Sequence, residues 1–396
     1  MAQLTTVPTD PGGLDRLRAE LAAVLDGADR VLAPLPSHDL EREQALAMLQ
    51  PDRPVDEDDA AVVVATSGST GRPKGVVLTR DGIVASARAT HRRVGGPGEW
   101  LLALPTHYVA GLMVVARAVV AGTPVVAVGA DLSGLATLAP AERPRYLSVV
   151  PTQLVRALAD PRLTRRLAAL DGVLLGGAAT PAELLDRARS AGVRVRTTYG
   201  MSETCGGCVY DGVPLDGVGI DLDDLDAERV GDGVGRVRIT GAPVFAGYRL
   251  RPDLTAEVLD TAGGRRRFAT SDRGRLSAEG TLEILGRTDD VVISGGVNVD
   301  LAAVERAAQQ VLADPEAVAV GVADTEWGTR VVLVSSRDLD LTAVRGVLAD
   351  RLPAAALPRQ VVRRPVPRTS SGKPDRTRLV TELAAEPAAT SPAGRP

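Results

Sequence analysis

Only two of the 46 basic residues in this 396-residue chain are lysines, Lys74 and Lys373. Lysine is a compact point charge on a flexible stem, whereas arginine is a wide planar fork, so a surviving lysine marks a position where that difference can matter. Lys74 closes the loop Thr66-Ser67-Gly68-Ser69-Thr70-Gly71-Arg72-Pro73-Lys74-Gly75, whose three glycines and four hydroxyls allow backbone and side-chain donors to converge on an anion. The lysine adds a mobile charge suited to a terminal phosphate. This is not the G-x-x-x-x-G-K-[ST] loop, because Pro73 precedes the lysine and Gly75 follows it. A plain polar turn would account for the glycines and hydroxyls but not for the lysine. The segment is predicted to bind phosphate, between a strand and a helix.

Cys205 and Cys208 form a C-x-x-C, which could be redox-active or half of a tetrahedral metal site. The three histidines, His38, His91 and His107, lie far away in sequence, so small buried residues is the reading preferred. A formal net charge of −4 provides no basic field for nucleic acid or an anionic membrane. The N-terminus has no basic-plus-apolar leader, and the most apolar stretch, 101–130, is broken by Pro105, His107, Arg117 and Pro124. A cytoplasmic location is therefore expected, with no membrane insertion.

The elements that must carry these residues follow from periodicity. Residues 13–28 have helical spacing of Leu and Ala against Arg, Glu and Asp; residues 60–65 are a short apolar β-type run; a helix is predicted from about Thr79 to Val94. Strands near 124–128, 146–150, 172–175 and 193–197 alternate with helices at 152–159 and 181–191, which argues for a mainly parallel sheet covered on both faces. From Val234 to Leu285 short Gly-punctuated runs read as antiparallel strands. The fold class is α/β: a large N-terminal domain of layered sheets and helices, residues 1–286, with a hinge to a small α+β domain, residues 287–383. The Ala/Pro/Thr/Ser-rich tail, 384–396, is expected to be disordered.

Six segments in order resemble the motifs of the adenylate-forming superfamily, which includes acyl-CoA synthetases, luciferases and peptide-synthetase adenylation domains. They are the loop 67–75, Gly176-Gly177-Ala178, Tyr199-Gly200-Met201-Ser202-Glu203, Thr270-Ser271-Asp272, Gly286-Arg287-Thr288-Asp289-Asp290 and Pro367-Arg368-Thr369-Ser370-Ser371-Gly372-Lys373. The resemblance implies activation of a carboxylate by ATP to acyl-AMP, followed by thioester formation on coenzyme A. It implies that Thr66, Ser67, Gly68, Ser69, Thr70, Gly71 and Lys74 cradle the phosphates, and that Gly177, Ala178, Tyr199, Gly200 and Met201 contact the nucleotide. Ser202 would donate to the α-phosphate and Glu203 would hold Mg²⁺, a hard cation suited to carboxylate and phosphate oxygens. Asp272, an acceptor-only carboxylate, and Arg287 would take the ribose. Lys373 would stabilise charge developing between the carboxylate nucleophile and the α-phosphorus. Asp289 matches the hinge position, and rotation about it would present Gly295 and Gly296 to the pantetheine of coenzyme A.

The acid side resembles one branch of that family, the o-succinylbenzoate–CoA ligases of menaquinone biosynthesis. The stretch 105–111 and Arg117 carry this likeness, implying that His107, Arg117 and Gly176 line the acid site. An arginine within an apolar run is costly to bury alone, so a second substrate carboxylate or an internal salt bridge is expected beside it. The histidine stands one position earlier than the branch has it, and Ala110 replaces the usual serine. Another aryl- or acyl-CoA ligase, or a non-catalytic nucleotide-binding regulator of the same fold, stays open as an alternative. The expected partners are small molecules, with a homodimer permitted and nucleic acid excluded.

Overall fold

The computed structural model describes residues 2–9, 12–66, 74–223, 233–369 and 372–385. The chain divides into two compact units, one formed by 1–270 and 275–283, the other by 271–274 and 284–396.

The first unit contains a five-stranded sheet in the order Gln3–Pro8, Arg30–Leu35, Ala60–Thr66, Lys74–Thr79, Gly247–Tyr248. The first three strands run parallel and the last two pair antiparallel. Ala-Ala-Val-Val-Val-Ala-Thr forms its central strand because both faces are covered, so that β-branched residues follow one another without polar alternation. A seven-stranded sheet follows the order Val213–Pro214, Gly206–Tyr210, Val195–Met201, Gly172–Leu175, Arg145–Val149, Glu99–Leu102, Val125–Ala127. Its last five strands are parallel, as the strand–helix alternation predicts. The Gly-punctuated region builds a third sheet, with Val218–Asp223 antiparallel to Val234–Gly241 and Leu259–Ala262 antiparallel to Arg265–Leu276.

Helix Val109–Ala121 is apolar all round apart from Arg117 and lies within the core, with every residue from Gly111 to Ala118 buried. Gly111 allows its first turn to close on the preceding chain, since a Cβ there would sit 2.3 Å from the Pro105 carbonyl oxygen. Helix Arg80–Val94 starts where predicted: Thr79 accepts from the Gly82 N–H at 3.1 Å, and Gly95, at φ +106°, ends it.

The second unit has a sheet in the order Val297–Asp300, Val291–Ser294, Gly328–Ser335, Val318–Asp324, with Gln360–Arg363 parallel to Gly328–Ser335. Helices Leu301–Val311, Leu341–Leu348 and Arg376–Ala385 accompany it. Asp300 caps the first of these by accepting from the Ala302 and Ala303 N–H groups. The last helix includes residues 384 and 385, which the tail was expected to contain.

Two differences from the sequence reading matter for the site. Lys74 begins a strand, Lys74–Thr79, antiparallel to Ala60–Thr66, so the loop joins two strands and the helix comes only afterwards. Gly-Val-Val-Leu-Thr reads as a lead-in to the helix until its partner is seen. Gln3–Pro8, Arg30–Leu35 and helix Asp39–Leu49 were also not anticipated, their short apolar runs being separated by charged residues. Among the described residues, no helix is long and apolar enough to cross a membrane.

Candidate active site

Ser67, Gly68, Ser69, Thr70 and Gly71 lie outside the described residues. The two ends of their loop are held together: Thr66 and Lys74 are paired residues, and the Thr66 hydroxyl donates to the Lys74 carbonyl at 3.3 Å. The Lys74 ammonium lies 4.9 Å from the centre of the Tyr248 ring, and the Tyr248 hydroxyl donates to Glu203 Oε1 at 2.9 Å. A phosphate-loop cation and a metal-binding candidate thus meet on one aromatic side chain that no motif singled out. Its only sequence signal was an aromatic in a chain holding five Tyr and two Phe.

Glu203 is placed by a tight turn. Strand Val195–Met201 ends, Ser202–Thr204 forms a 3₁₀ turn, and Cys205 takes a left-handed conformation at φ +51° before the chain returns as Gly206–Tyr210. Thr204 locks this turn by accepting from the Met201 N–H at 3.0 Å and donating to the Gly206 carbonyl at 2.8 Å. Gly200 is required by the close return, because a Cβ would fall 2.0 Å from the Gly206 carbonyl oxygen. Tyr199, Gly200, Met201, Ser202 and Glu203 are consequently presented, half-buried, at the C-terminal edge of the parallel strands. Gly176, Gly177 and Ala178 follow the adjacent parallel strand, whose Leu175 pairs with Thr197, and Gly177 adopts φ +84°. The crevice beyond the carboxyl ends of parallel strands is where α/β sheets bind ligands.

Among the described residues, no group of three or more His, Cys, Asp or Glu could hold a metal by itself. One carboxylate, Glu203, nevertheless fits Mg²⁺, which commonly takes one or two protein carboxylates and fills its shell with substrate phosphates and water. Cys205 and Cys208 are buried free thiols, both pushed up to about 12 by burial, in keeping with inert core residues.

His107 lies just ahead of helix Val109–Ala121, its ring centre 4.2 Å from that of Tyr108 and its Nδ1 3.5 Å from the Thr9 hydroxyl. Its Nε2 is buried with no hydrogen-bond partner among the described residues, and burial holds its pKa below the ordinary value. Arg117 is 4% exposed. Its guanidinium lies 4.8 Å from the Trp100 ring centre and 3.5 Å from the Ser148 hydroxyl, and among the described residues it forms no ion pair. The internal salt bridge is therefore absent there, and the helix and sheet enclose the guanidinium instead of opening it to solvent.

In the second unit, Arg287 donates to both oxygens of Asp289, at 2.9 and 2.7 Å, and to Asp272 Oδ1 at 3.4 Å. Asp272 is buried and Thr288 fastens its neighbour, the Thr288 N–H donating to the Ser271 carbonyl at 2.7 Å. The two ribose candidates and the hinge candidate are thus one ionic cluster. Lys373 is exposed in a turn where its carbonyl accepts from the Thr369 N–H at 2.8 Å and Gly372 takes φ +82°. Gly295 and Gly296 form the exposed turn between Val291–Ser294 and Val297–Asp300, with φ +59° and +77°. Gly295 is confined by Trp327, whose ring would lie 2.9 Å from an added Cβ.

Residues 9–249 match the family described as AMP-binding enzyme. A Mycobacterium tuberculosis protein described as a probable 2-succinylbenzoate–CoA ligase is 42% identical over 382 residues, covering 92% of this chain and 94% of its own length. A 2-succinylbenzoate–CoA ligase from Enterococcus faecalis is 29% identical over 364 residues, covering 87% and 74%. ATP-bound MatB from Rhodopseudomonas palustris has a similar fold, with a TM-score of 0.80 at 23% identity over 97% of this chain and 89% of that one. The o-succinylbenzoate CoA synthetase of Bacillus subtilis in complex with its acyl-adenylate gives a TM-score of 0.74 at 23% identity, over 96% and 88%.

Proposed function

The chain belongs to the AMP-binding enzyme family, and on that premise we propose that it ligates o-succinylbenzoate to coenzyme A in two steps. A carboxylate oxygen of the acid attacks the α-phosphorus of ATP, giving acyl-AMP and pyrophosphate. The thiol of coenzyme A then attacks the acyl carbon, its proton is lost, and AMP leaves. The observation that carries this reading is the 42% identity to the M. tuberculosis ligase over nearly the full length of both chains.

The geometry supports the same chemistry. Phosphoryl transfer of this kind is governed by positioning and charge neutralisation, and Lys74 and Glu203 are brought together on Tyr248. Bound Mg²⁺ would supply further neutralisation of phosphate charge, held by Glu203. Tyr199 and the 176–178 turn receive the adenine, Ser202 donates to the α-phosphate, and Asp272 with Arg287 binds the ribose. On the acid side, the Nε2 of His107, without a partner among the described residues, offers a polar contact; Arg117, enclosed in the core, contributes positive charge in place of a solvent-open contact. Lys373 assists the first step, and the domain from residue 287 onward then turns about Asp289 to bring Gly295 and Gly296 to the pantetheine. All substrates are small and water-soluble, which suits the cytoplasmic location expected from the sequence.

Lys373→Ala tests the reading. Acyl-AMP formation from o-succinylbenzoate and ATP is expected to fall by roughly 100-fold or more, the loss typical of one transition-state charge contact. Thioester formation from supplied acyl-AMP is expected to survive. Near wild-type adenylation in the variant, followed by pyrophosphate release, would show that the assigned role is wrong.

A further inference from the structure

Tyr248 occupies a two-residue edge strand, Gly247–Tyr248, paired with Val77 and Val76 immediately after Lys74. The pairing is fastened on both flanks: the Ala246 N–H donates to the Val77 carbonyl and the Arg249 N–H to the Gly75 carbonyl, each at 2.8 Å. Tyr248's own N–H donates to the Thr255 hydroxyl at 2.9 Å. Its ring packs against Phe245, with centres 4.8 Å apart, and the Phe245 N–H donates to the Glu203 carbonyl at 2.9 Å. Backbone contacts thus fix Tyr248 relative to both Lys74 and Glu203 before its side chain is considered.

The side chain then engages both charges in different ways. Its hydroxyl donates to Glu203 Oε1 at 2.9 Å, a charge-assisted bond that orients the carboxylate. Its ring face attracts the Lys74 ammonium at 4.9 Å from the centroid, within the range of a cation–π contact. One rigid ring in contact with both charges fixes the geometry between them.

We propose that Tyr248 is a positioning residue of the ATP site, holding the metal-binding carboxylate of Glu203 and the phosphate-loop ammonium of Lys74 at a set separation. The inference rests on the reading that these two residues receive Mg²⁺ and ATP. Removing the hydroxyl alone takes away one hydrogen bond to Glu203 but leaves the ring under Lys74, whereas removing the ring takes away both contacts.

Calorimetric binding of ATP, once with Mg²⁺ and once with EDTA, separates these effects in the wild type, Tyr248→Phe and Tyr248→Leu. Tyr248→Phe is expected to weaken Mg·ATP binding about tenfold, as loss of one hydrogen bond to a charged group does, while leaving metal-free ATP binding unchanged. Tyr248→Leu is expected to weaken both, and melting temperatures report whether each variant remains folded. Equal affinities of wild type and Tyr248→Phe for Mg·ATP, or an equal loss with and without the metal, overturn the positioning role and leave the ligase reading standing. Failure of the wild type to bind Mg·ATP at all overturns both.

Discussion

His91 shows how burial sets the chemistry of a single side chain here. It is buried on helix Arg80–Val94, accepts from the Trp100 indole N–H at 3.4 Å, and shares Trp100 with the Arg117 guanidinium. Burial, and then the positive charge of Arg117, lower its pKa from 6.5 to about 4. Because the folded value lies below the unfolded one, the neutral imidazole favours folding. The associated stability is present above pH 6.5 and is lost as pH falls towards 4. The shift corresponds to at most about 3 kcal/mol across that window. His91→Gln keeps an acceptor for the indole but cannot titrate. Urea denaturation at pH 7, 5 and 4 should therefore show a shallower loss in the variant, by about 2 kcal/mol; parallel curves would assign the acid sensitivity elsewhere. Arg117, a candidate for the acid site, is enclosed by the tertiary core together with His91, whereas Lys373 is exposed.

Between elements, Arg249 performs what its sequence position gave no sign of. It is 3% exposed, and its guanidinium donates to the carbonyls of Leu49, Gln50, Arg53 and Pro54 at 2.5, 2.9, 2.6 and 3.0 Å. These acceptors are the end of helix Asp39–Leu49 and the turn after it, so one side chain ties that turn to the strand carrying Tyr248. A Lys would place three donors on a narrow head and could not span four carbonyls. Arg249→Met, which retains much of the apolar stem, should cost about 3 kcal/mol because buried acceptors lose their partners. Equilibrium unfolding measures this directly, and a loss below about 1 kcal/mol would sink the anchoring account. The parallel sheet was legible because strands alternate with helices along most of its chain. The hairpin around the phosphate loop was not, since strand Lys74–Thr79 is defined by its pairing with Ala60–Thr66 and Gly247–Tyr248.

For the molecule as a whole, the chain crosses between its two compact units more than once, with 271–274 grouped with the C-terminal unit and 275–283 with the N-terminal one. Asp289 lies just beyond these crossings, gripped on both oxygens by Arg287, which also meets Asp272. The proposed turn about residue 289 would require backbone change there, and proline fixes φ near −65°. Asp289→Pro is therefore expected to leave single-turnover acyl-AMP formation within about threefold of wild type while slowing thioester formation at least about tenfold. Quenched-flow measurement of both half-reactions decides the matter, and equal slowing of the two would remove Asp289 from the hinge role.

Residue type and order by themselves determined which groups could do chemistry: a glycine- and hydroxyl-rich loop ending in lysine, Glu203 after Tyr199, Asp272, and a second lysine near the C-terminus. Those are local properties, written within a few residues of one another. The tertiary structure alone decided that Glu203 and Lys74 share Tyr248, that Arg287 joins Asp272 to Asp289, and that Arg117 lies enclosed against an aromatic ring. Several of these contacts join positions far apart in the chain, as Tyr248 is from Lys74 and Glu203. Strand pairing and core packing bring such positions together, and no local pattern of residues encodes the result.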